Sequence, residues 1–189
     1  MKQAKVLTEP EFTRVTAIIA QGRHAERNRM AVMLSFLAGM RACEIAALTI
    51  GSVIDSQGEP KGEIRLTSAM TKGDAGRVVV VNQRLCREMT RYVATLRGPR
   101  PERPFLRSQK SGRAFTANTL VQLFSRIYDA AGLEGGSSHS GRRTFISTLA
   151  AKGVSARVLQ KLAGHASLAT TQRYIEVNDM MLRSAVELL

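Results

Sequence analysis

The last third of the chain carries Ser138-His139-Ser140-Gly141-Arg142-Arg143, then Leu162-Ala163-Gly164-His165, then Thr171-Gln172-Arg173-Tyr174. Two histidines, an arginine and a tyrosine follow one another in fixed order between short helical segments. With a cap at Ser138 or a neighbour, His139 and Arg142 stand three residues apart on one helix face, and Ile146 and Leu149 continue that face inward. Arg142 therefore sits on an apolar stripe, where a guanidinium is costly to bury unless it meets an anion. The chain must supply that anion or recruit one. Arg143 lies about 100° further round the helix and points elsewhere, so the tandem arginines are not equivalent.

Upstream, Arg41 lies between the apolar segments 34–40 and 45–50, which draws its guanidinium into the protein, and Glu44 is placed to hold it. Lys72 rides on, or just before, the tip of a hairpin. Taken singly, each side chain also has an ordinary reading. His139 fits a capping or structural histidine, His165 a helix exit after Gly164, and Tyr174 a core-edge residue. Arg41 and Glu44 fit a surface ion pair, and Lys72 a solvated loop lysine. Their joint order is what points to a shared site.

The elements that must position these residues read as mainly helical with a small β component, an α+β chain with an antiparallel hairpin at one edge. Thr8-Glu9-Pro10-Glu11 is a capping box opening a helix to about Ala20. A second helix runs from about Ala25 to Leu37 and ends at Gly39, and a short one from Met40 closes near Leu48. Residues 64–67 and 77–81 alternate or are β-branched, which predicts the hairpin, with a further short strand near Val53. Helices are expected from about Gln83 to Leu96, from Thr116 to about Ala131, near Ala156 to Ala163 and from Leu168 to Val177. Phe105-Leu106 reads as extended, and the Pro- and Arg-rich stretch 98–104 as an internal loop. Residues 178–189 form a last amphipathic helix with Leu182, Val186 and Leu189, which packs on its own domain or is exchanged between protomers.

At 189 residues one domain is expected, and 28 Lys and Arg against 15 Asp and Glu point to a polyanionic partner. Nucleic acid fits better than membrane, because Trp is absent and the longest apolar run, Ala31 to Met40, is too short to span a bilayer. Met1 leads directly into polar residues, so no secretory leader is expected. Cys43 and Cys86 form no CxxC pair or zinc cluster and read as reduced thiols of a cytoplasmic protein. No phosphate-gripping glycine loop and no two-metal carboxylate cluster is visible. The expected chemistry uses neither metal nor cofactor.

The ordered set Ala38-Gly39-Met40-Arg41-Ala42-Cys43-Glu44-Ile45, Lys72, His139-Ser140-Gly141-Arg142, Leu162-Ala163-Gly164-His165 and Tyr174 resembles the catalytic domain of the tyrosine recombinases, also called phage integrases. The resemblance runs over nearly the whole chain, with residues 1–177 as that domain. It implies a site-specific DNA recombinase working at the nucleoid on double-stranded DNA, as a tetramer on two sites, with a monomer possible without DNA. It also implies six catalytic residues, Arg41, Lys72, His139, Arg142, His165 and the nucleophile Tyr174, supported by Glu44, with Lys72 and Arg143 touching DNA. Gly141 stands where an apolar residue is common in that family, which is expected to loosen the turn before Arg142. Most relatives carry an additional N-terminal domain. Its absence suggests a short stand-alone form, similar to the fimbrial phase-switch recombinases, or a cut-down chain, and one face of the duplex would go ungripped.

Under that resemblance, Arg41, Arg142 and His165 contact the oxygens of a pentacovalent phosphorus, His139 takes the Tyr174 proton, and Lys72 protonates the departing 5′ oxygen. The 3′-phosphotyrosine conserves the phosphodiester bond energy, so no ATP is needed. Two rivals stay open. One is a type IB topoisomerase, which religates the same strand; the other is a catalytically silent DNA-binding regulator.

Overall fold

The computed structural model describes residues 3–71, 75–109, 111–175 and 179–187. Helix α1 (Glu9–Ala20) begins at the capping box: the Thr8 hydroxyl accepts the Glu11 N–H, and the Glu11 carboxylate accepts the Thr8 N–H. Helix α2 (Ala25–Ala38) is the centre of the domain, with residues 30–34 almost wholly buried. The apolar run from Ala31 is thus a helix surrounded by protein. It ends at Gly39, whose φ of +61° is left-handed and whose missing Cβ leaves room for the Phe145 ring.

Helix α3 (Ala42–Ala46) and the single turn α4 (Ile50–Val53) follow. The strand expected near Val53 is absent, because Val53 sits in that helical turn. Thr49 and Ser52 cap each other across it, at 3.2 and 3.1 Å, and this local bonding outweighs the β preference of Val and Ile. Extended pairing there is limited to one bridge between Ile54 and Pro60.

Strands β1 (Glu63–Leu66) and β2 (Arg77–Val80) form the expected antiparallel hairpin, with Ile64 opposite Val79 and Leu66 opposite Arg77. Ile64, Leu66 and Val79 face the core, while Val78 and Val80 face outward. The Thr71 hydroxyl donates to the carbonyl oxygens of Ser68 and Ala75 and closes the base of the connection. Lys72 lies outside the described residues.

Helix α5 (Gln83–Val93) ends a turn earlier than expected, in tight turns at residues 94–96. Pro104 and Arg107 bridge to Thr49 and Ala114 on either side of the buried Phe105 and Leu106. Helix α6 (Ala117–Ala130) opens at Thr116 as expected. Helices α7 (Ser140–Ala151) and α8 (Ala156–Ala163) follow, then α9 (Leu168–Gln172), which stops well before Val177, and α10 (Asp179–Val186). Leu189 lies outside the described residues.

Helices α1, α5 and α7 pack around α2, and α3 packs on α6. The approach of α7 to α2 depends on Gly141. A Cβ there would collide with the Ser35 hydroxyl on α2, so the glycine admits α7 to van der Waals contact, and the helix runs regularly through it. Among the described residues no helix is long and apolar enough to cross a membrane.

Candidate active site

The site is built on the C-terminal end of α8. The helix stops at Gly164, whose φ is +62°; the Gly164 and His165 N–H groups serve the Lys161 and Gln160 carbonyls, which leaves the carbonyls of Leu162, Ala163 and Gly164 for other donors at the negative end of the helix dipole. Three guanidiniums from three different elements meet them in succession. Arg77, the first residue of β2, donates to the Leu162 carbonyl at 2.8 Å. Arg142, in the first turn of α7, donates to Ala163 at 2.5 Å, and Arg41, ahead of α3, to Gly164 at 3.3 Å. Arg142 also donates to the Gly39 carbonyl at 2.6 Å, which joins the end of α2 to the same point.

Among the described residues Glu44 is the carboxylate paired with these cations, and it is fully buried. It accepts Arg77 in a two-point pair at 3.0 and 2.7 Å, the Arg41 guanidinium at 2.9 Å and the Arg41 backbone N–H at 2.7 Å. Burial pushes its carboxyl upward, but the hydrogen bonds and charge of Arg77 and Arg41 overcome this and hold it below its ordinary value. Burial, together with the charges of Arg41 and Arg77, pushes Arg142 down to about 9. Three guanidinium charges against one carboxylate leave the cluster cationic, which suits it to an anion from outside the chain. Arg142 solves its burial locally through backbone carbonyls.

His165 immediately follows Gly164. Its Nδ1 lies 2.9 Å from the Thr171 hydroxyl on α9, and burial, with the charges of Arg142, Arg41 and Arg77, pushes it down to about 4. The ring is therefore neutral at physiological pH. Tyr174, in the turn after α9, stacks on it with centroids 5.5 Å apart, and its carbonyl accepts from the Ser147 hydroxyl on α7. Arg143 lies over the Tyr174 ring at 5.9 Å, with its Nε buried and without a hydrogen-bond partner among the described residues. The tandem arginines thus do differ: Arg142 turns to the α8 carbonyls and Arg143 to the tyrosine. The chain's other tyrosines are core residues. Tyr92 donates to the Phe105 carbonyl and is pushed up by burial to about 12, and Tyr128 is pushed higher still by burial. Tyr174 is the half-buried one.

Arg41, Glu44, Arg142, His165 and Tyr174 are therefore assembled at one place. His139 sits one turn ahead of Arg142, as the exposed N-cap residue of α7. A groove of about 760 Å³ runs out from Arg41, Arg77 and His165, between the hairpin base at Thr71 and Gly76 and the basic side chains Arg157 and Lys161 of α8. Arg77 escaped sequence reasoning because it reads as the polar first residue of a valine strand. A charged residue opening that strand on its inward-facing register, opposite Leu66, was the available signal.

The model of the phage integrase family matches residues 5–181. The chain is 29% identical over 186 residues to tyrosine recombinase XerA of Pyrococcus furiosus, covering 97% of this chain and 61% of that protein. With XerA of Thermococcus kodakarensis the identity is 31% over 187 residues, covering 97% and 62%. The crystal structure of XerA recombinase superposes with a TM-score of 0.71 at 26% identity, covering 100% of this chain and 66% of that one. XerH site-specific recombinase bound to palindromic difH substrate shares the fold with a TM-score of 0.71 at 23% identity, covering 98% and 53%. The chain spans about three fifths of the length of the curated relatives it matches. With the matched family, these relatives and this fold, the chain belongs to the phage integrase family, the tyrosine recombinases, and represents their catalytic domain.

Proposed function

We propose that this domain is the strand-transferring part of a site-specific DNA recombinase. The observation that carries the reading is the meeting of Arg41, Arg77 and Arg142 on three successive carbonyls beside His165, with Tyr174 stacked on that histidine. A scissile phosphate enters this cationic cluster and takes donors from Arg41, Arg142 and His165, which strengthen as its oxygens gain charge in the pentacovalent state. The Tyr174 oxygen forms a bond to phosphorus as the bond to the 5′ oxygen breaks. His139 accepts the phenolic proton and Lys72 gives one to the leaving oxygen. A 5′ hydroxyl from a second strand reverses the step on the 3′-phosphotyrosine, with no net change in bond type and no ATP.

Double-stranded DNA is the substrate, held in part by the basic wall of Arg157 and Lys161, and the enzyme works in the cytoplasm at the nucleoid. Recombination needs a tetramer on two sites. The uncovered apolar side chains Leu182 and Val186 on α10, both more than half exposed, support residues 178–189 as a segment exchanged between protomers, appended to a catalytic unit of residues 1–177.

The reading is tested with a nicked suicide duplex carrying the cognate site and with a plasmid carrying two such sites. A recombinase traps a covalent adduct that Tyr174→Phe abolishes, and exchanges strands between the sites. Sequence-independent relaxation without exchange favours the topoisomerase reading. Binding with no adduct from the intact chain leaves only the silent regulator.

A further inference from the structure

His165 makes its side-chain hydrogen bond through Nδ1, 2.9 Å from the Thr171 hydroxyl. His165 is 9% exposed and Thr171 0%, so water does not compete for that bond. Buried, and facing the charges of Arg142, Arg41 and Arg77, the imidazole is held neutral and carries one proton on one of its two nitrogens. Either Nδ1–H donates to Thr171 and Nε2 presents a lone pair, or the Thr171 hydroxyl donates to Nδ1 and Nε2 carries the N–H. These arrangements offer opposite things to an anion: the lone pair repels it and the N–H binds it.

Hydrogen-bond satisfaction decides between them. A threonine in a helix ordinarily turns its hydroxyl back to a carbonyl of the preceding turn, but the structure gives Thr171 no such acceptor among the described residues. If Nδ1 held the proton, the Thr171 hydroxyl hydrogen would be buried with nothing to bond, which folded proteins avoid. Donation from Thr171 to Nδ1 satisfies both groups and leaves the proton on Nε2. The main chain adds a second link, since the Thr171 carbonyl accepts the Tyr174 N–H at 3.0 Å while the Tyr174 ring stacks on His165. One residue of α9 thus reaches the histidine with its side chain and the tyrosine with its backbone.

We propose that Thr171 is a positioning residue for strand transfer: its hydroxyl donates to Nδ1 of His165, fixes Nε2–H as the donor to the scissile phosphate, and ties the tyrosine-bearing turn to that histidine. The catalytic part of this statement rests on the function proposed above; the direction of the hydrogen bond does not.

The test has two readouts. Long-range 1H–15N correlation spectra of the imidazoles, with His165 assigned from a His165→Gln variant, are expected to show Nδ1 bare and Nε2 protonated in the DNA-free wild type at pH 7.5. Thr171→Ser keeps that pattern and Thr171→Val loses it. Adduct formation on the suicide duplex is expected to slow roughly 10- to 100-fold in Thr171→Val, by analogy with the loss of partners that orient metal-ligating histidines, and to recover in Thr171→Ser. A wild-type spectrum with Nδ1 protonated overturns the proposal, as does a Thr171→Val protein with unchanged tautomer and rate. If Thr171→Val does not fold, the wild-type spectrum and the Thr171→Ser rate decide. If no protein, wild type included, forms an adduct, the strand-transfer reading falls while the spectrum still settles the hydrogen bond.

Discussion

Replacing Arg77 with Met keeps most of the side-chain volume and removes the charge that Glu44 depends on most. In the wild type Arg77 is 8% exposed and Glu44 0%, and the pair closes at 3.0 and 2.7 Å, with a further bond to the Leu162 carbonyl. Breaking one side of a buried pair costs about 3–5 kcal/mol. Glu44 keeps two donors from Arg41, so the lower end, about 3 kcal/mol at pH 7.5, is expected from urea unfolding. The loss should depend on pH. Arg77 helps depress the Glu44 pKa, and a depressed carboxyl contributes stability that is present above its unfolded value and lost as pH falls through the folded one. Without Arg77 the carboxyl titrates higher, and protonated Glu44 needs no cation, so the gap between variant and wild type narrows on acidification. Adding Glu44→Gln to Arg77→Met should likewise cost less than Glu44→Gln alone, a coupling of about 1–3 kcal/mol. A loss below about 1 kcal/mol that neither acid nor Glu44→Gln changes would refute the claim that Arg77 secures Glu44.

Other consequences follow from the same geometry. The folded state holds His165 near 4 against an ordinary 6.5, so the unfolded chain binds more protons between these values and stability falls as pH drops through that window. About 2 kcal/mol should be lost by pH 5, and urea melts of His165→Gln should lack this contribution. Gly141→Ala forces a methyl against the Ser35 hydroxyl and should cost about 1–3 kcal/mol in the same assay. Gly164→Ala combines a left-handed φ with a collision against the Arg77 stem, so it should lower both the unfolding midpoint and the adduct rate. Tyr174→Phe should bind duplex DNA with wild-type affinity in a gel-shift assay while forming no adduct.

What could be read from sequence was what local chemistry writes. The Thr8 box, the Gly39 exit and the Thr116 cap each act within a few residues, and all three ends fall where expected. The Thr49 and Ser52 caps are equally local, but the β-branched Ile50, Val53 and Ile54 masked them and suggested a strand. The ordered Arg, His and Tyr positions exposed the site because their types are unusual together. Their partners were hidden. Arg142 is satisfied by main-chain carbonyls, which every sequence has and none displays. Arg77 meets Glu44 across 33 positions, a distance that no periodicity spans. Gly141 was expected to loosen a turn, whereas its role is visible only once α2 lies against it.

The most direct test of the assembled site is where the DNA becomes attached. Protein trapped on a nicked suicide duplex, digested with protease and nuclease, is sequenced by mass spectrometry to locate the nucleotide-bearing peptide. The expected result is a 3′-phosphodiester on Tyr174 that disappears in Arg41→Ala and Arg142→Ala. Attachment at any other side chain, or an adduct that survives loss of both arginines, would contradict a phosphate held by those guanidiniums beside that tyrosine.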